Sequence, residues 1–222
     1  MVSRPSNAAL RKPPEERRAE IVAGAAQIAL NESLEHITLR AVADRLGVRP
    51  GLISHYFPAV ETLVVEALAS VLSRERDEHF PESGSALARL SRLAAQASSD
   101  ESLQFARLWL NARHLARFRP LIAAELEEQE RLGRDRLIAL LEDGVRAGEF
   151  SVADPRSAAV RILIANDGYG AYANNPEPFL EESFTNFVAD AIEWALGLEP
   201  GALKNAEHAS DAPDSVDSVE SP

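Results

Sequence analysis

A chain of 222 residues with a formal net charge of −12 and 45% apolar residues suits a packed core, in one large domain or in a small domain fused to a larger one. The absence of cysteine excludes disulfides, a thiol nucleophile and cysteine-ligated metal sites. No apolar run has the length of a signal peptide or a membrane span, so a soluble, cytoplasmic protein is expected.

Helical periodicity dominates and no convincing alternating strand is found, which predicts an all-α fold. Residues 1–13 read as a flexible basic arm with Arg4, Arg11 and Lys12. The first helix is predicted from Pro14 to Asn31, with Ile21, Ala25, Ile28 and Ala29 recurring at three and four. A proline at its start gives up no intrahelical bond. Thr38 holds the N-cap position of "LRAVADRL", in which Val42 and Leu46 lie one turn apart. Gly47 stands where a helix ends on a left-handed residue, and Pro50 where the first turn of a third helix begins.

Longer helices follow at 60–79, 85–98, 101–118 and 121–147, and Asp154-Pro155 opens another through about residue 173. "FLEESFTNFVADAIEWALGL" is predicted to be one last helix over 179–198. Its Leu180, Phe184, Phe187, Val188, Ala191, Ile192 and Ala195 make a wide apolar stripe. From Glu199 onward the Ser-, Asp- and Ala-rich chain is expected to be disordered. The expected division is a three-helix head over 14–59, a larger helical body over 60–198 and an acidic tail over 199–222.

Residues 38–57 read as two short helices joined by a tight turn at Gly47. This is the helix-turn-helix arrangement, whose second helix fits the width of a major groove. Val48, Ile53 and Phe57 are spaced to face the core, and the small Ala43 lets the two helices approach closely. Arg49, Pro50, Leu52, Ser54, His55 and Tyr56 are left for solvent or a ligand. The charge distribution agrees. Residues 1–57 hold eight Lys/Arg against six Asp/Glu, a net of +2, and the rest hold fifteen against twenty-nine, a net of −14. A mildly basic head on an acidic body is compatible with DNA binding confined to the head. Arg11, Lys12, Arg17 and Arg18 fit a phosphate- or minor-groove-binding flank as well as a merely solvated one.

The stretch "ITLRAVADRLGVRPGLISHYFPAVETLVVEAL" resembles the DNA-binding segment of the tetracycline-repressor (TetR) family. Thr38, Ala43, Gly47, Val48, Gly51, Tyr56, Phe57 and Leu63 carry the resemblance. Within that family, "GLISHYF" is nearest to the choline-responsive repressors of the betaine pathway. The resemblance implies that Tyr56 and Thr38 meet phosphate oxygens, which set position rather than sequence choice. It also implies that Arg49 reaches a guanine edge, Leu52 touches a thymine methyl and His55 meets a base or a phosphate, with Pro50 and Ser54 on the same face. The sequence departs from the family pattern twice. Arg49 replaces the usual Ser or Thr cap of the recognition helix, and Val60 replaces a lysine common at the start of the fourth helix. The function implied is a ligand-responsive regulator, a repressor in the family's commoner mode, that binds a palindromic operator as a homodimer.

The middle helices are long enough to enclose a small-molecule effector. The candidates are Phe105, Trp109, His114, Phe118, Asn166, Asp167, Tyr169 and Tyr172, with Phe105, Trp109, Asp167, Tyr169 and Tyr172 expected as ligand contacts. An aromatic face beside an acid suits a cationic effector, although aromatics at helical spacing more often fill a core. The two last helices, with small residues in "DPRSAAVRILIANDGYGAYA" and the apolar stripe of 179–198, are the expected homodimer interface. No Walker loop, G-x-G-x-x-G, H-E-x-x-H or G-x-S-x-G occurs, and the five histidines lack metal-ligand spacing. Neither catalysis nor a metal or cofactor is therefore expected. A helical partner-binding scaffold is the rival reading, ahead of an enzyme; it accounts for the body but not for the head.

Overall fold

The computed structural model describes residues 12–205; the expected arm up to Arg11 and the expected tail from residue 206 lie outside the described residues. Among the described residues the chain is α-helical without a strand. The helices are α1 (Pro14–Asn31), α2 (Leu39–Leu46), α3 (Pro50–Tyr56), α4 (Val60–His79), α5 (Ala86–Gln96), α6 (Asp100–Ala116), α7 (Pro120–Ala147), α8 (Pro155–Ala173), α9 (Glu182–Thr185) and α10 (Phe187–Leu196), with a 3-10 turn at Leu34–His36.

Local chemistry sets these boundaries. The Thr38 hydroxyl accepts the Ala41 N–H at 3.0 Å, and Ser85, Ser99 and Asp154 cap α5, α6 and α8 in the same way. Pro14, Pro50, Pro120 and Pro155 each sit in a first turn, where their missing N–H costs nothing. Gly47 ends α2 at φ 64°, a left-handed conformation that a Cβ disfavours, and so sets the sharp turn into α3.

The packing forms two apolar cores. One joins α1–α4 to α6 and the start of α7, with Ile21, Ile53, Phe57, Leu63, Leu68, Phe105, Ala112 and Ile122. The other joins α5, the rest of α7, α8 and α10, with Leu90, Leu137, Leu141, Ile162, Val188 and Ile192. Helices α6 and α8 approach closely: a Cβ on Gly170 would lie 2.6 Å from that of Ala106. The head is also fastened to the body by a side chain. Asn111 of α6 accepts the Leu34 N–H (3.0 Å) and donates to the Glu35 carboxylate (2.8 Å).

Two expectations are corrected. The stretch 179–198 is not one helix but a bend, α9 and α10. The cause is aromatic: Phe179 stacks on Tyr172 and Phe184 on Tyr169, with ring centroids 5.7 and 4.8 Å apart. These contacts fold 179–185 back over α8 instead of extending α10. Of the predicted stripe, Val188 and Ile192 are buried, whereas Leu180 and Phe187 are exposed. Residues 199–205 are ordered rather than disordered. Leu203 is buried, its carbonyl accepts the Ser91 hydroxyl at 2.8 Å, and the Glu193 carboxylate accepts the N–H groups of Gly201 and Leu203.

Candidate nucleic-acid interface and interhelical cavity

Helix α3 is held from beneath by Ile53 and Phe57, both buried, and by the half-buried Val48 and Tyr56. Arg18 braces it: the guanidinium pairs with both Glu66 oxygens and lies 4.7 Å from the centre of the Phe57 ring. Anchored this way, α3 turns Arg49, Pro50, Ser54 and His55 outward, with Leu52 and Tyr56 half-exposed beside them. The His55 and Tyr56 rings meet edge to face, 5.4 Å apart. Thr38 is exposed at the start of α2; its oxygen accepts the cap bond, which leaves its O–H proton to donate outward. Ser54 is the reverse case. Its O–H donates to the Gly51 carbonyl at 3.2 Å, which leaves the oxygen to accept. Arg49 makes no side-chain cap, so the missing hydroxyl is not replaced locally.

The basic flank is less free than its composition implies. Lys12 lies 3.2 Å from Glu20, Arg17 lies 2.7 Å from the same carboxylate, and Arg18 is held by Glu66. These charges are matched within α1 or by α4, so Arg49 and Arg45 are the exposed cations near α3 that make no ion pair among the described residues.

A cavity of about 280 Å³ lies between α4, α6, α7 and α8. Leu72, Phe80, Leu93 and Ile162 form its apolar wall, and Glu75, His79, Trp109 and Arg113 much of its polar one. The Trp109 indole N–H donates to Glu75 at 2.6 Å. Burial pushes the Glu75 carboxyl up to about 7, against the indole hydrogen bond, which favours the charged form. Burial pulls His79 down to about 4. The 3.8 Å approach of His79 to Glu75 is therefore a contact between neutral groups near pH 6, not an ion pair. Arg113 lies 2.6 Å from Asp167 and 3.3 Å from Glu130, with its guanidinium over the Trp109 ring at 5.1 Å. Burial still raises Asp167 above the ordinary carboxylate range, although Arg113 pulls it down.

The expected ligand set is thus divided. Trp109, Asn166 and Asp167 line the cavity. Phe105 is 1% exposed and fills the core behind it, edge to face with His79. His114 and Phe118 face outward as a T-shaped pair. Tyr169 and Tyr172 lie on the opposite side of α8, stacked under Phe184 and Phe179. Their separation follows from the helix: residues 167 and 169 point some 200° apart. Glu75, His79 and Arg113 were not among the expected residues. A signal for the first two exists, because the buried stripe of Leu68 and Leu72 continues at helical spacing into Glu75 and His79.

No protein-family model matches the chain, and no curated protein resembles it significantly. Solved structures do. A transcriptional regulator from Saccharomonospora viridis, in complex with choline, superposes with a TM-score of 0.66 at 19% identity, covering 81% of this chain and 96% of that one. A TetR-family regulator from Rhodococcus sp. matches at 0.62 and 22% identity over 82% of this chain and 96% of that one. A TetR regulator from Haloarcula marismortui matches at 0.66 and 18% identity over 88% of this chain and 98% of that one. The chain has the TetR-type fold.

On this TetR-type fold, α8 and α10 leave an apolar groove of about 760 Å³ that adjoins the cavity at Ile164 and otherwise lies across α8 from it. Ile164, Tyr172, Phe179 and Trp194 line it, all more than half exposed. So many large apolar groups on one face mark an interaction surface rather than an ordinary exterior. Among the described residues no single helix is long and apolar enough to cross a membrane.

Proposed function

We propose that the chain is a DNA-binding transcriptional regulator that acts as a homodimer and is released from its operator by a small-molecule effector. The observation that carries the reading is the α3 surface: on a TetR-type fold, an anchored helix presents Arg49, Pro50, Leu52, Ser54, His55 and Tyr56 together, with Thr38 beside them. Tyr56 and Thr38 donate to phosphates, and Arg49, Leu52 and Ser54 read base edges. The Ser54 oxygen, an acceptor once its proton is used, suits the amino group of cytosine or adenine. The apolar groove of α8 and α10 is the dimer face, and two α3 helices related by a twofold axis call for a palindromic operator. Repression is the mode proposed, and the compartment is that of the chromosome, the cytoplasm.

The effector site is the cavity between α4, α6, α7 and α8. A buried carboxyl with no cation bonded to it, tied only to an indole N–H, suits a cationic group on the ligand. A regulator of the same fold was solved with choline, which supports that choice. An effector that prefers the non-binding form of the dimer weakens operator affinity by the ratio of its affinities for the two forms.

The test is a mobility-shift assay on DNA upstream of the chain's own gene and of the neighbouring genes. Specific, salt-sensitive retardation is expected. Retardation that is equal on unrelated DNA, or absent at high protein concentration, would sink the proposal.

A further inference from the structure

The cavity wall carries three guanidinium groups, Arg76, Arg113 and Arg134, and three carboxyls, Glu75, Glu130 and Asp167. Arg113 lies within ion-pairing distance of both Glu130 and Asp167. Arg76 instead has only neutral partners, donating to Gln129 at 2.6 Å and to Ser73 at 3.1 Å. Arg134 makes no hydrogen bond or ion pair among the described residues. With all three carboxyls ionised the wall is neutral, and a bound cation leaves one positive charge in excess. With Glu75 protonated the empty wall already carries that excess. With all three carboxyls ionised, an anionic group on the ligand restores balance once its cation is bound, and an uncompensated charge in a half-buried cavity is costly. The two arginines lack carboxylate partners in a chain where acids outnumber bases by 35 to 23.

We propose that the effector is dipolar: its cationic end lies against Glu75 and Trp109, and a carboxylate at its other end is taken by the guanidinium groups of Arg76 and Arg134. A guanidinium holds a carboxylate through two parallel N–H bonds, and Arg76 spends only two of its five donors on Gln129 and Ser73. The apolar wall of Leu72, Phe80, Leu93 and Ile162 accommodates the methylene chain between the two ends. This inference rests on the cavity being the effector site and adds the second half of the ligand.

The probes are 3-(trimethylammonio)propanoate and 4-(trimethylammonio)butanoate, the methyl ester of each, and 5,5-dimethylhexanoate, which keeps the butanoate's shape but replaces the ammonium nitrogen by carbon. Binding to the full-length protein is measured by titration calorimetry. The tighter zwitterion is expected to bind at least about tenfold more strongly than its own ester. Arg76→Met should bring it down to the ester's level while leaving the ester unchanged, and Glu75→Gln should weaken both. Equal binding of zwitterion and ester to the wild type would overturn the anionic subsite and leave the cationic one standing. Equal binding of 5,5-dimethylhexanoate and the butanoate would overturn the dipolar ligand by removing its cation. If no probe binds a folded protein that still retards its operator, the cavity reading falls with the inference. Should Arg76→Met fail to fold, Arg134→Met replaces it; that variant must lose the same advantage, and an unchanged zwitterion affinity would overturn the proposal.

Discussion

The indole N–H of Trp109 and the carboxyl of Glu75 meet at 2.6 Å across the cavity, tying α6 to α4. The bond satisfies one oxygen of a buried carboxyl, and His79 stands 3.8 Å from the other. Both titratable groups are held neutral by burial, one acid and one base, four residues apart on the same helix.

Their pH dependences have opposite signs. Glu75 is raised to about 7 from 4.5, so the stability it allows below pH 4.5 is lost as pH rises through 7. His79 is lowered to about 4 from 6.5, so its share is present above pH 6.5 and lost as pH falls through 4. Each effect is on the order of 3 kcal/mol, and between about pH 4.5 and 6.5 they largely cancel. Denaturant midpoints of the wild type should change little in that window because of this pair. Glu75→Gln should instead gain stability as pH rises, and His79→Asn should lose it. Parallel pH profiles for the two variants would contradict the assignment.

On DNA, the α3 face predicts two different kinds of loss. Tyr56→Phe removes one phosphate hydrogen bond, about 1 kcal/mol or some fivefold in affinity, equally on every operator variant. Arg49→Ala should cost about 1–3 kcal/mol on the preferred operator and less where the contacted base pair is changed. Fluorescence anisotropy on a panel of single-base operator variants separates them. A uniform loss for Arg49→Ala removes it from base reading.

Trp194 is 72% exposed and Ile164 65%, both on the α8–α10 groove. A buried, unpaired carboxylate at either place is prohibitive in an interface and harmless on a free surface. Trp194→Asp and Ile164→Asp should therefore give folded monomers by sedimentation, with operator binding weakened far more than monomer stability. A wild type that sediments as a monomer at micromolar concentration would contradict the dimer face outright.

Asn111→Ala removes both bonds that hold the 3-10 turn of the head, leaving the Leu34 N–H without its partner. The expected cost is about 1–2 kcal/mol. Amide exchange at Leu34 should accelerate while amides in the α7–α8 core stay protected. Unchanged exchange at Leu34 would show that the clamp does not hold in solution.

Much of the helical plan was legible in the sequence because caps, prolines and apolar spacing agree locally. Thr38, Gly47, Pro50 and Asp154 each mark a boundary by chemistry confined to a few residues. The α3 face was legible for the same reason, since Ile53 and Phe57 identify the buried side of so short a helix. The cavity was not. Glu75 and His79 sit in "SRERDEH", which has the composition of a solvated face, and only packing by α6 and α7 buries them. The break at 179–186 is hidden in the sequence for a related reason: Phe179 and Phe184 keep helical spacing, but their partners Tyr172 and Tyr169 belong to another helix.

The two apolar cores do not divide where the head's last helix ends. Ile21 and Phe57 share one core with Leu68 of α4, Phe105 and Ala112 of α6, and Ile122 of α7. A fragment cut after residue 59 would expose the underside of α1 to water and lose its lid of long helices. The smallest piece that could be grafted onto another body with its packing intact runs through the start of α7. Trp109 packs against this core and also forms part of the cavity wall. One indole thus borders both the cavity and the core that carries α3.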